Sequence, residues 1–268
     1  MTTFLDKIVA ETRERIEARR PEADLGRLRV EAEAARRGRE SYRLASALST
    51  ENRVNIIAEI KRASPSRNVI DPNVDAAERA ATYERNGAAA ISILTEPKYF
   101  GGSLDDIRRA RAEVKLPILR KDFIVDESQI LDAAIAGADA ILLIVAALDE
   151  DRLRELLSVA NELGLDALVE THDLEELHTA ARIGAKIIGV NNRDLHTLEV
   201  DLATSFALAE HRPAGALLVA ESGIRNADEI KKLREAGFNA FLIGEALMFA
   251  GDPAGKLAAL AAAGGSNG

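Results

Sequence analysis

Six short apolar runs in this 268-residue chain end in charged or amide side chains: AEIKRASPS, LRKDF, LVETH, GVNNRDL, VAESG and LIGEA. If the runs are strands, successive side chains point to opposite faces. In VNIIAEIK, Ala58 and Ile60 then share one face, and Glu59 and Lys61 the other. By the same count Lys121 follows Leu119, Glu170 follows Leu168, Asn191 and Arg193 follow Gly189, and Glu221 follows Val219. Charges gathered in one place are costly to desolvate unless they pair. A paired set of ammonium and carboxylate groups is equipped for general acid–base work on an anionic substrate. A Schiff-base lysine is a poorer match, because carboxylate neighbours hold the ammonium form. The bland alternative is a structural ion-pair layer.

A second set suits phosphate. Glu221-Ser222-Gly223 precedes a helix start near Asn226, and Gly244-Glu245 runs directly into a short helix. Backbone N–H groups at such turns point toward an anion. Tyr99 and Phe100 in TEPKYFGGS form an aromatic loop that either covers a flat substrate or simply packs. Of the four histidines only His172, close to Glu170, is expected near this chemistry; His178, His196 and His211 read as surface positions. Lys186 opens its run and belongs at the opposite end, while Lys231-Lys232 and Arg19-Arg20 read as solvated helix faces.

The elements that must position these residues recur evenly. Apolar runs occupy Val54 to Ile60, Ala88 to Leu94, Leu116 to Leu119 and Ala140 to Val145, then Asp166 to Val169, Lys186 to Val190, Leu217 to Ala220 and Ala240 to Ile243. Short and rich in Ile, Val and Leu, they suit strands buried on both faces. Between them lie helical patterns. Asp149 to Leu163 places Leu153, Leu156, Leu157 and Ala160 on one face, and Asn226 to Ala236 starts at a capping Asn. NGAAA, AGADA, IGAKI and AGFNA each set a glycine between helix and strand. The expected fold is α/β, a (β/α)8 TIM barrel with an N-terminal helical extension, in which chemistry sits at the C-terminal strand ends. A doubly wound sheet is the alternative, but no GxGxxG fingerprint is present. The expected organisation is one domain over 1–268, with about 1–50 as extension and about 54–262 as barrel. In the extension, Leu5, Ile8, Val9, Thr12 and Ile16 form one helix face, and Arg36 to Leu48 is expected to form another helix. The extension either plugs the barrel bottom or covers its mouth. The tail AAGGSNG is expected to fray.

Composition excludes several classes. A net charge of −9, from 35 Lys+Arg against 44 Asp+Glu, argues against a general nucleic-acid binder. With no cysteine there is no disulfide, thiolate nucleophile or zinc-thiolate site, and no close histidine pair suggests a metal. No apolar run approaches the roughly 18–20 residues of a membrane span, and MTTFLDKIVAETRERIEARR lacks a signal-peptide core. A cytoplasmic protein without membrane partners is expected.

From about Leu5 to Met248 the chain resembles the indole-3-glycerol-phosphate synthase family of tryptophan biosynthesis. The resemblance rests on IIAEIKRASPS, LTEPKYFGGS, LPILRKDFIVDESQI, ALVETHD, IIGVNNRDLHTLEVD, VAESGI and FLIGEALM, in that order. It implies a cofactor-free, metal-free barrel. The implied reaction closes the ring of 1-(2-carboxyphenylamino)-1-deoxyribulose 5-phosphate, giving indole-3-glycerol phosphate, carbon dioxide and water. By the same resemblance Lys121 is the general acid for ring closure, Glu170 the general base, and Lys61 a second acid and anion contact. Glu59, Asn191 and Glu221 frame them. Arg193 and Ser64 lie beside the substrate, Ser222, Gly223 and Gly244 hold phosphate, and Phe100 and Phe123 flank the aromatic ring. The extension is implied to fold over the mouth. The implied partner is a small phosphorylated molecule, with the chain a monomer or weak homodimer. Two departures stand out. Arg67-Asn68 replaces the Lys-Gly that follows Ser-Pro-Ser in many members, although Asn tolerates positive φ. Glu245 stands where some members carry Ser, which leaves phosphate to backbone N–H groups. The alternatives are another phosphate-binding barrel, of the phosphoribosylanthranilate isomerase or tryptophan synthase α type, and a non-catalytic ligand-binding barrel.

Overall fold

The apolar runs form eight parallel strands: β1 (Asn55–Ile60), β2 (Ala90–Leu94), β3 (Ile118–Lys121), β4 (Ala140–Ile144), β5 (Asp166–Thr171), β6 (Ile187–Asn191), β7 (Leu217–Glu221) and β8 (Ala240–Ile243). Each pairs with the next, and β8 returns to β1 through Asn55–Ala240 and Ile57–Leu242, closing the barrel. The computed structural model describes residues 3–19, 24–65, 68–195 and 197–264. Arg20, Arg67, His196 and the end of the AAGGSNG tail lie outside them.

Helices cover the outside: α4 (Ala76–Arg85), α5 (Leu104–Glu113), α6 (Glu127–Ala136), α7 (Glu150–Glu162), α8 (Leu174–Arg182), α9 (Ala203–Ala209), α10 (Ala227–Glu235), α11 (Glu245–Met248) and α12 (Pro253–Ala261). The expected α7 face is the buried one, and Asn226 caps α10 in a reciprocal pairing with Glu229. Gly87, Gly137, Gly184 and Gly237 all take positive φ at the turns back to the sheet.

Inside the barrel, side chains stack in layers contributed by alternate strands. Ala90, Ala140, Ile187 and Ala240 come from the even strands, and Ile57, Leu119, Leu168 and Val219 from the odd ones, all buried in one cluster. Period two then brings the next odd-strand residues to Glu59, Lys121, Glu170 and Glu221. The charged set is the layer at which the packed core ends.

The extension does both jobs considered for it. α1 (Phe4–Arg19) lies at the mouth, with Leu5, Ile8 and Val9 packed on Val125. Its Phe4 meets Tyr99 edge-on at 5.1 Å, and Glu11 accepts hydrogen bonds from Lys98 and Tyr99. At the other end α3 (Arg43–Leu48) inserts Leu44 and Leu48 beneath the barrel cluster. Asp166, at the foot of β5, accepts from the backbone N–H groups of Leu44 and Ala45 at 2.8 and 3.0 Å, supplying the cap that Tyr42 does not. α2 (Leu25–Arg36) links the two ends along the flank. The single helix expected over Arg36 to Leu48 is therefore corrected. α2 stops at Arg36, Gly38 and Tyr42 take positive φ, and a new helix starts at Arg43. Residues 36–41 (RRGRES) carry no apolar side chain to hold a helix on the barrel, and those two backbone conformations interrupt it.

Candidate active site

Lys121 is the last residue of β3, and its side chain is 14% exposed. Its Nζ donates to Glu170 Oε2 at 2.9 Å and lies 3.5 Å from Glu221 Oε2. Lys61, one residue past β1, donates to Glu59 Oε1 at 2.6 Å. Glu59, Glu170 and Glu221 are all buried. Burial alone drives a carboxyl toward its neutral form. At Glu170 the Lys121 ammonium and the His172 imidazole overcome burial and hold the carboxyl well below the usual carboxylate range. At Glu221 burial wins over Lys121, reinforced by Glu170 and Glu59, and pushes the carboxyl up. Burial works against the Lys121 charge too, but Glu170, Glu221 and Glu59 raise its pKa, so it stays an ammonium. Two neighbouring carboxyls driven in opposite directions are the makings of a base beside an acid.

Two glycines leave the space these carboxylates occupy. A Cβ at Gly189 would stand 2.0 Å from Glu221 Oε1, and one at Gly244 would stand 2.2 Å from Glu59 Oε1. Gly244, singled out for phosphate, thus also seats Glu59. Gly189→Ala and Gly244→Ala are each expected to lower kcat at least about tenfold, because the displaced group is a positioned carboxylate. A rise in KM with unchanged kcat would show instead that these carboxylates only bind.

The turn after β7 holds Ser222 at φ +64° and Gly223 at +84°. For serine this left-handed conformation costs on the order of 1 kcal/mol or more. Hydrogen bonds hold it: Ser222 Oγ donates to Asn191 Oδ1 at 2.8 Å, which also accepts from Arg193 N at 3.1 Å. Asn192 Nδ2 donates to the carbonyls of Glu221 and Ser222 at 2.9 and 3.1 Å. Arg193 donates to Leu198 O at 2.9 Å and pairs with Glu245 at 3.2 Å. Ser64 is buried in a small antiparallel ribbon, Ala63–Ser64 against Asn68–Val69, where Asn68 takes φ +56°. Phe100 and Phe123 face each other at 6.2 Å with planes tilted 38°.

The structure brings all thirteen residues named from the sequence to one cavity of about 730 Å³: Glu59, Lys61, Ser64, Phe100, Lys121, Phe123, Glu170, Asn191, Arg193, Glu221, Ser222, Gly223 and Gly244. That volume suits a small-molecule ligand. Lys186, His178 and His211 are exposed and away from it. His172 is not in the cavity wall but touches Glu170 from behind. Leu5, expected on the face of a helix that covers the mouth, lines the cavity; sequence reasoning missed its neighbour Phe4, Leu195, Leu198 and Val200 of the loop after β6, and Lys256 of α12, which line it too. Lys256 had a signal, being the lone charge within the otherwise apolar PAGKLAALA. Asn192 had none, since its value lies in backbone carbonyls that only the fold brings near. Among the described residues no group of three or more Asp, Glu or His side chains is placed to hold a metal, and no helix is long and apolar enough to cross a membrane.

A parallel eight-stranded barrel with an ionisable layer under an open cavity defines a barrel enzyme of acid–base chemistry. The family model for indole-3-glycerol phosphate synthase matches residues 5–260. Curated relatives of that name include one from Syntrophobacter fumaroxidans, 46% identical over 262 residues, which cover 97% of this chain and 98% of the relative. Another, from Chlorobium luteolum, is 49% identical over 248 residues, covering 91% and 93%. The chain belongs to the indole-3-glycerol phosphate synthase family. Among solved structures, thiamine phosphate pyrophosphorylase from Pyrococcus furiosus superposes with a TM-score of 0.59 at 17% identity, covering 82% of this chain and 97% of that one. That likeness concerns the fold alone.

Proposed function

We propose that the chain converts 1-(2-carboxyphenylamino)-1-deoxyribulose 5-phosphate to indole-3-glycerol phosphate, carbon dioxide and water, with the side chains of the charged layer as its acids and base. The observation that carries this is the buried Lys121 ammonium, paired to Glu170 and Glu221 at the floor of the cavity. Lys121 polarises and protonates the ketone oxygen. The ring carbon bearing the carboxylate bonds to the ketone carbon, and carbon dioxide departs as the ring regains aromaticity. The new hydroxyl then leaves as water, taking a proton from an ammonium group, while Glu170 accepts the proton lost from the closing ring. Lys61, paired with Glu59, supplies the second cation. Asn191 and Glu221 complete the frame around the reacting atoms.

The distal phosphate is assigned to the turns at Ser222–Gly223 and Gly244, with Arg193 and Ser64 beside the chain of the sugar. Phe100 and Phe123 hold the aromatic ring. A dianion in an acidic protein needs local cations, and Lys61, Lys121 and Arg193 line the cavity for that purpose. A single-domain chain, acting in the cytoplasm as a monomer or weak homodimer, belongs to the same proposal.

The test is fluorescence during incubation with the carboxyphenylamino-deoxyribulose phosphate, without added cofactor or metal. The chain has no tryptophan, so an appearing indole signal stands on a low background. A signal that persists in EDTA is expected. Folded protein that gives none, yet melts higher with substrate, would instead be a binding barrel. Glu170→Gln is expected to cut kcat per folded molecule by at least about 10²-fold. The lost pairing with Lys121 lowers its melting temperature as well, so activity that falls only in proportion to the folded fraction would make Glu170 structural.

A further inference from the structure

We propose that His172, oriented by Glu176, is a positioning residue for Glu170, fixing one carboxylate oxygen while Lys121 takes the other. The inference rests on the reading of Glu170 as the base. Lys121 holds Glu170 Oε2 from across the barrel at 2.9 Å. His172, one residue past β5, brings its Nε2 to 3.4 Å from Glu170 Oε1 from outside the cavity. That distance is a charge contact, longer than a full hydrogen bond, and Nε2 has no hydrogen-bond partner.

Glu176 fixes the ring. Its Oε2 lies 3.0 Å from His172 Nδ1 and also accepts from the His172 backbone N–H at 2.7 Å. The backbone bond already serves the start of α8, and a residue of any type at 172 provides it. The imidazole adds something the helix start does not require. With Nδ1 held by one carboxylate, Nε2 is left aimed at the other.

The chemistry explains why a second cation is useful. When Lys121 turns to the substrate oxygen and gives up its proton, Glu170 loses that counter-charge while it must remain an ionised base. Facing Glu170 are Lys121 of β3, Glu221 of β7 and His172, with Glu59 of β1 across the layer. Of these, only His172 is a cation outside the reacting cavity. Burial disfavours its charge, yet Glu170 and Glu176 push its pKa up to about 10, so the imidazolium persists at neutral pH. The loss of His172 removes a positive charge from Glu170, so the Glu170 pKa rises.

The test is kcat against pH for His172→Gln, which places a neutral amide where the imidazolium was. The acid limb is expected to move up by about one unit, the low end of the effect of an adjacent opposite charge. kcat at neutral pH is expected to fall about tenfold with KM within about twofold. Glu176→Gln keeps an oxygen for the His172 backbone N–H and is expected to shift the limb less, in the same direction. Folded variants with the natural pH profile would overturn the proposal; if His172→Gln does not fold, an unshifted Glu176→Gln overturns it alone. Glu170→Gln separates the two ideas. If it remains active, the base assignment fails; if it is inactive while both other variants titrate normally, only the role of His172 fails.

Discussion

Lys121→Ala is expected to lower kcat by at least about 10²-fold, the usual scale for a positioned acid. The loss should exceed that of the acid alone, because the same ammonium holds Glu170 ionised. Without it Glu170 and Glu221 face each other buried and lacking their shared counter-charge, and two such carboxyls cannot both ionise readily. Lys121→Arg separates the roles. It keeps a cation in the layer, and with it most of the stability, but guanidinium does not release its proton. Near-natural turnover in the arginine variant would show that charge, not proton donation, is what the reaction takes from Lys121. The stability of the alanine variant carries a pH signature of definite sign. The Glu170 carboxyl is depressed in the folded chain, so its stabilisation is present above the unfolded value near 4.3 and is lost as pH falls through the folded pKa. The alanine variant lacks the Lys121 share of that contribution, His172 keeping the rest, so its melting-temperature deficit should be widest at neutral pH and narrow below about pH 4. A deficit independent of pH would point to lost packing.

What could be read before the fold was known follows from period two. Parity along VNIIAEIK placed Glu59 and Lys61 opposite Ala58 and Ile60, and in the barrel Ala58 and Ile60 pack toward the helices while Glu59 and Lys61 line the cavity. Strand ends were less legible. β3 runs on to Lys121, β5 to Thr171, β6 to Asn191 and β7 to Glu221, one or two residues beyond the apolar runs. The residues that end the hydrophobic pattern are still hydrogen-bonded in the sheet, because a barrel puts its polar chemistry on the last rungs of its ladder. The extension was legible only as amphipathic helix. A buried face at Leu5, Ile8 and Val9 says that something covers it, not which end of the barrel does. Nor does a sequence reveal which carbonyls Asn192 meets, or that Glu176 lies beside His172 at a helix start.

The bottom of the barrel supplies the largest expected stability effect. Asp139 is completely buried just before β4, with Arg39, Arg43 and Arg111 at 3.0, 3.0 and 2.8 Å and Arg36 at 3.6 Å. It also accepts from the backbone N–H of Ile118 at 3.0 Å. Three of these arginines belong to the extension, Arg36 ending α2, Arg39 in the turn and Arg43 opening α3, so one carboxylate ties the extension to the barrel. Their remaining donors cap helix ends: Arg36 bonds Leu163 O and Gly164 O past α7, Arg39 bonds Gly137 O past α6, and Arg111 bonds Leu116 O beyond α5. C-terminal carbonyls carry partial negative charge, which offsets part of the excess of cations. Asp139→Asn keeps the shape and removes the charge, leaving four guanidiniums grouped around a neutral amide. The loss of one partner from a buried ionic cluster costs about 3–5 kcal/mol. For a chain of this size that corresponds to a fall of roughly 5–10 °C in melting temperature. Because the anchor lies at the end of the barrel opposite Lys121, kcat per folded molecule is expected to stay within about twofold, as for distant and independent sites. Limited proteolysis should then cut first between Arg37 and Thr50, where the released segment enters the barrel. If instead kcat falls with the melting temperature retained, the two ends of the barrel are coupled, and Asp139 acts on the charged layer through the strands rather than as an anchor.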